Sequence, residues 1–153
     1  MEMKVKIKKL HPDAVIPFKK YENDYCYDCV ATSCTEIAPN IYRYGLGFAI
    51  QVDQKDRSIK LPIDKLLAIE PRPRSSIWEH GMMMSNSIGT VDEGYTGEVS
   101  VVLYHIFPNM PKYEVGERVC QIKIGFTLPL NFVEVSELDP TERNANGYGS
   151  TGR

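Results

Sequence analysis

The chain has 153 residues, 42% of them apolar and 25% charged, the make-up of one soluble globular domain. Eighteen Lys and Arg against 20 Asp and Glu leave a net charge of -2, which argues against a general nucleic-acid binder; any anionic ligand must be held by a few placed groups. No apolar run opens the chain as a signal peptide would, and none approaches the ~18 residues of a membrane span, so the expectation is a cytoplasmic protein with no membrane partner and reduced cysteines at 26, 29, 34 and 120.

Val5, Ile7 and Lys9 alternate with Lys4, Lys6 and Lys8, a strand with one wet face. Cys26-x-x-Cys29 has too few further ligands for zinc, and on a strand its two thiols point to opposite faces; small buried side chains are the expectation. Leu46 to Val52 and Ser58 to Leu61 are further short strands, separated by the Asp53-Gln54-Lys55-Asp56 turn. Ile63 to Ile69 has two turns of helical spacing before Pro71 stops it. Ser75 or Ser76 can cap a second short helix running through Trp78 to Met84, with Glu79 in the capping-box position. Glycines 89, 94 and 97 predict a hairpin within Asn86 to Val99. Val99 to Phe107, Val119 to Ile124 and Asn131 to Val135 are strands, with turns at Pro108-Asn109-Met110-Pro111, Gly116 and Pro129. Many short strands with regular turns predict an all-β sandwich, jelly roll or barrel, and no repeat of solenoid length is present. After Asp139 the chain has almost nothing to place in a core.

Four segments carry polar chemistry. Arg74-Ser75-Ser76 offers a guanidinium fork, two hydroxyls and free backbone N–H groups, the parts of an anion site, although the same three residues serve equally as a capped solvated turn. Asp92, among the glycines of the predicted hairpin, is either a turn carboxylate bonded to its own backbone or a general base above a backbone-lined pocket. Gly116 to Ile124 is a turn into a strand. In the tail, Tyr148 lies between two glycines, and Arg143 precedes Ser150 and Thr151; such residues can cradle a phosphate. His11, His80 and His105 lie far apart and are surface or packing residues.

These segments, in this order, resemble the five motifs of the trimeric dUTP pyrophosphatase (dUTPase) family. The motifs are Asp24 to Ala31, Arg74-Ser75-Ser76 through Gly81, Gly89 to Gly97, Gly116 to Gln121 and Arg143 to Gly152. The resemblance implies a jelly-roll-like β-clip subunit, all-β with one or two short helices. It implies a β domain over 1–139, a Gly-rich arm over 140–153 closing on the active site, and a homotrimer with shared sites. It implies hydrolysis of dUTP to dUMP and pyrophosphate with Mg2+ on the triphosphate, which keeps uracil out of DNA and supplies dUMP. Asp92 matches the carboxylate that orients and deprotonates water, and Tyr95 the ring that packs on deoxyribose. Asn86, Gly89, Thr90 and Val91 match the uracil-reading edge. Arg74, Ser75, Ser76 and Gln121 match phosphate and fourth-motif contacts. Arg143, Gly149, Ser150 and Thr151 match the arm's ligands, and Tyr148 the ring stacked on uracil. Asp28 matches a carboxylate that meets the metal through water only.

The sequence departs from the family at Cys26, Cys29, Gly94 and Asn144. Two alternatives remain. A dCTP deaminase shares the Arg-Ser-Ser motif, but Glu79 and Val102 stand where that family carries an Arg and its proton-shuttling Glu. A non-catalytic nucleotide-binding trimer would be marked by a lost Asp92 or a missing arm.

Overall fold

The computed structural model describes residues 3–52, 66–86 and 88–141. Among them lie ten strands: β1 Val5–Lys9, β2 Tyr27–Val30, β3 Ser33–Ala38, β4 Ile41–Gly45, β5 Phe48–Val52, β6 Leu66–Arg72, β7 Met82–Met84, β8 Val91–Asp92, β9 Ser100–His105 and β10 Arg118–Thr127. All pairing is antiparallel, in a β1-β5 ribbon and two four-stranded sheets ordered β2-β10-β6-β8 and β3-β4-β9-β7. The fold is the all-β, jelly-roll-like one that the motifs imply.

Alternation positions the core. Along β9, Val101, Leu103 and His105 turn inward while Tyr104 faces out. Val101 and Leu103 join Tyr44, Met82 and Met84 from their own sheet and Cys29, Ile69, Cys120 and Ile122 from the other, so both sheets contribute to one core. Tyr44 anchors it by donating its hydroxyl to the Tyr113 carbonyl at 3.0 Å. Between β4 and β5 the chain leaves one sheet for the ribbon through Gly47, at φ 70°. A Cβ there would overlap Thr32 and His11 at 2.8–2.9 Å, so the crossing requires glycine.

The strands expected at β1, β9 and β10 are present, and Leu46 to Val52 contributes β5. Ser58 to Leu61 lies outside the described residues. Three expectations are corrected. The described part of the Ile63–Ile69 helix is strand: Leu66–Arg72 is β6, paired along its whole length with β10. Pro71 does not break it. Its carbonyl accepts from Gly89 N at 3.0 Å, and in an antiparallel strand N–H and C=O of one residue face the same side. Its missing N–H therefore points past the end of the short β8 ladder, which covers only Ala68 and Ile69. The Trp78–Met84 helix is a single 3-10 turn, Ile77–His80, which Ser76 does not cap through its side chain; Met82–Met84 pairs with β9 instead. Residues 131–135 belong to no strand and are exposed.

Candidate active site

Two polar groups of residues flank β6. The first is built where β2 and β10 meet the loop after β6. Asp28, on β2, accepts from Arg74 Nε at 3.2 Å through one oxygen and from Arg118 Nη1 at 2.8 Å through the other. Arg74 Nη1 also donates to Ser76 Oγ at 3.4 Å and to the Arg118 carbonyl at 3.3 Å. Gln121, directly opposite Asp28 on β10, donates its amide to the Pro73 carbonyl at 2.8 Å and so pins the loop that carries Arg74. One carboxylate against two guanidiniums leaves a net positive charge beside two hydroxyls, of which Ser75 is exposed. That arrangement suits an anion with several oxygens. Arg118 escaped the sequence reading; a lone arginine opening a strand has no pattern around it, and only the fold brings it to Asp28.

The second group surrounds a pocket of about 270 Å3, lined by Pro71, Ser85, Asn86, Gly89, Thr90, Val91 and Ser100–Val102. Gly89 lets the loop close on β6, since a Cβ there would stand 3.2 Å from the Pro71 ring. A loop that close to a strand can offer backbone donors and acceptors to a small planar ligand. Asp92 follows at its rim. Its carbonyl accepts from Tyr95 N at 3.0 Å, closing a turn whose outer side chain, Tyr95, donates its hydroxyl to the Glu98 carbonyl at 3.1 Å. Glu98 in turn accepts from Gly47 N at 2.9 Å. The turn is as expected, but the hairpin is not, because the only ladder partner of β8 among the described residues is β6. The Asp92 carboxylate is exposed and makes no hydrogen bond among the described residues, its own turn included. It is free to bind a water.

The two groups do not meet within one chain. Asp92 lies opposite Ala68, whereas the Asp28 group lies at the level of Arg72, with β10 and β6 intervening between β2 and β8. Four residues along a strand and three strand spacings across the sheet separate Asp92 from Asp28 by roughly 20 Å. The pocket sits between, so a ligand running from it past Asp92 moves away from that chain's own Arg74. The expected tail ligands Arg143, Tyr148, Gly149, Ser150 and Thr151 lie outside the described residues.

The remaining singled-out residues have packing roles. Cys29 is fully buried opposite Cys120, whose thiol, with burial, raises the Cys29 pKa well above the ordinary range, so it is a poor nucleophile; Cys26 is half-buried. His105 is buried with Nε2 at 3.0 Å from the Met110 carbonyl, and exposed His11 lies near Asp13. Among the described residues no cluster of three or more His, Cys, Asp or Glu could hold a metal ion, and no helix is long and apolar enough to cross a membrane.

Comparison with known proteins gives one answer. The dUTPase family model matches residues 13–152. The chain is 33% identical over 154 residues to the deoxyuridine 5'-triphosphate nucleotidohydrolase of Helicobacter pylori strain J99, covering 98% of this chain and 97% of the relative. It is 35% identical over 149 residues to the protein of the same name from Corynebacterium diphtheriae, covering 97% and 92%. Among solved structures, the dUTPase of Staphylococcus bacteriophage 80alpha with dUpNHpp superposes with a TM-score of 0.75. That match has 18% identity and covers 98% of this chain and 99% of the other. A mutant dUTPase from phage phi11 of S. aureus, whose structure describes a structural Mg(II) ion, superposes at 0.66 with 13% identity, covering 90% and 99%.

Proposed function

Because the chain belongs to the dUTPase family, we propose that it hydrolyses dUTP to dUMP and pyrophosphate, with Asp92 orienting and deprotonating the attacking water at the α-phosphate. The observation that carries the reading is an unengaged carboxylate directly after Val91, which lines a pocket of about 270 Å3 together with Asn86, Gly89 and Thr90. In this reading Asn86, Gly89, Thr90 and Val91 receive uracil. Hydrogen bonds to one edge reject cytosine, because buried polar groups would be left unpaired, and overlap rejects the methyl of thymine. The Tyr95 ring, fixed through its hydroxyl, packs on the deoxyribose and leaves no room for a 2'-OH. Arg74, Ser75, Ser76 and Gln121 hold phosphate oxygens, with Arg118 added to them. Arg143, Gly149, Ser150 and Thr151 complete the phosphate shell from the 140–153 arm, and Tyr148 stacks on uracil.

Mg2+ fits this site as a guest of the substrate. Both Asp28 oxygens already accept from guanidiniums, so that carboxylate suits a water of the ion's shell rather than the ion itself. Once bound, the ion neutralises triphosphate charge; the protein's part is to place the phosphates and the water. A cytoplasmic setting, where free nucleotides occur, goes with this substrate.

The roughly 20 Å between Asp92 and Asp28 supports a site shared between copies of the chain, in which Asp92 of one subunit works with the Arg74 group of a neighbour. Residues 128–138 support the same assembly. Leu130, Phe132 and Leu138 are 69%, 88% and 87% exposed, a large unburied apolar area for a single chain, and a second copy would cover it. A homotrimer with three shared sites is the proposed form.

The test is pyrophosphate release from dUTP, dCTP, TTP and UTP with Mg2+. Turnover is expected for dUTP alone, and Asp92→Asn should keep dUTP binding while losing roughly 10²–10⁴-fold in kcat. Undiminished turnover in that variant would remove Asp92 from its role, and no turnover by the parent protein would leave a nucleotide binder.

A further inference from the structure

Tyr113 is among the largest fully buried side chains, 1% exposed, yet its hydroxyl has no hydrogen-bond partner among the described residues. A buried unpaired hydroxyl costs stability and calls for a reason. The ring is firmly placed. It stacks on His80 with centroids 3.6 Å apart, meets Tyr44 edge-on at 6.4 Å, and its own carbonyl accepts from the Tyr44 hydroxyl. His80 ends the 3-10 turn that begins just after Ser76, so the stacked ring lies under the Arg74–Ser76 loop. Burial raises the phenol's pKa, while the neighbouring Ser76 and Arg74 act to lower it; the hydroxyl is therefore a protonated donor at neutral pH, close to both.

We propose that Tyr113 is a positioning residue whose hydroxyl donates to Ser76 Oγ when an anion is bound, and so directs the serine's own proton onto a phosphate oxygen. Ser76 Oγ has two lone pairs and one proton. With Arg74 Nη1 donating to one lone pair and Tyr113 to the other, the proton is left only the ligand to point at. This is preorganisation of a donor before charge develops. The inference rests on the reading that Arg74 and Ser76 hold the phosphates.

The experiment is a double-mutant cycle on the full chain with Tyr113→Phe and Ser76→Ala, reading kcat and KM for dUTP and Tm. Tyr113→Phe removes one unpartnered oxygen and leaves the ring, so Tm should hold or rise while kcat/KM falls roughly tenfold, the worth of one hydrogen bond near a charged group. The double variant should be no worse than Ser76→Ala, because Tyr113 acts through Ser76. Wild-type kcat/KM in Tyr113→Phe, a lowered Tm, or additive losses would overturn the proposal. Wild-type kcat/KM in Ser76→Ala would overturn it together with the phosphate reading beneath it, so the two failures are told apart.

Discussion

Residues in this protein owe their roles to neighbours that the linear sequence does not display. Asp92 was legible because glycines surround it and a carboxylate in such company needs a use. Arg118 was not, because its meaning is Asp28, 90 residues away. Tyr113 reads as a core aromatic, and only its orphaned hydroxyl marks it. Glu70 is a similar case. It accepts from Arg72 at 2.8 Å and pairs with Lys123 at 2.9 Å, and these hydrogen bonds, that from Arg72 foremost, hold its carboxyl below the ordinary value. A depressed folded pKa stabilises above the unfolded pKa, and that stability is lost as pH falls through the folded one. Glu70→Gln should therefore lower Tm by roughly a few degrees at most at pH 7, a modest effect for a partly screened group. The gap to wild type should close as pH drops below about 4; melting curves at pH 7 and 3 with the same gap would show that charge is not the cause.

At the scale of elements, alternation was a reliable guide where one face of a strand meets the core and the other meets water, as in β1 and β9. It failed for β6, because Leu66-Leu67-Ala68-Ile69 is an apolar run that suits helix and buried strand alike, and pairing with β10 decided the matter. The expectation at 131–135 failed differently. Phe132 and Val133 stand side by side, so apolar content rather than strict alternation suggested that strand, and among the described residues no strand pairs with the segment. The arm beyond it belongs to the site in the proposed function. A chain ending at Pro140 should still assemble as a trimer by light scattering, but lose at least roughly tenfold in dUTP turnover through loss of the phosphate and stacking contacts. Full activity in that truncated chain would make the arm a dispensable end.

For the whole molecule, the β fold and the ordered motifs were readable from the sequence; shared sites came only as an implication of the family resemblance, and the separation behind the proposal needed the strand register. No single-chain pattern reports that Asp92 and the Arg74 group lie on opposite sides of one pocket; that follows from the register of β6 with β8 and β10. In the proposed homotrimer, a closed threefold ring would resolve the separation by setting each aspartate beside a neighbour's arginines. Complementation tests this most directly. Asp92→Asn and Arg74→Ala chains are each expected to be nearly inactive alone. Co-expressed in equal amounts, they should assemble at random, so that about a quarter of all sites combine an intact Asp92 from one chain with an intact Arg74 from another. Recovery of dUTP turnover near that fraction is the predicted result, and activity no greater than that of the two separate variants would contradict a shared site.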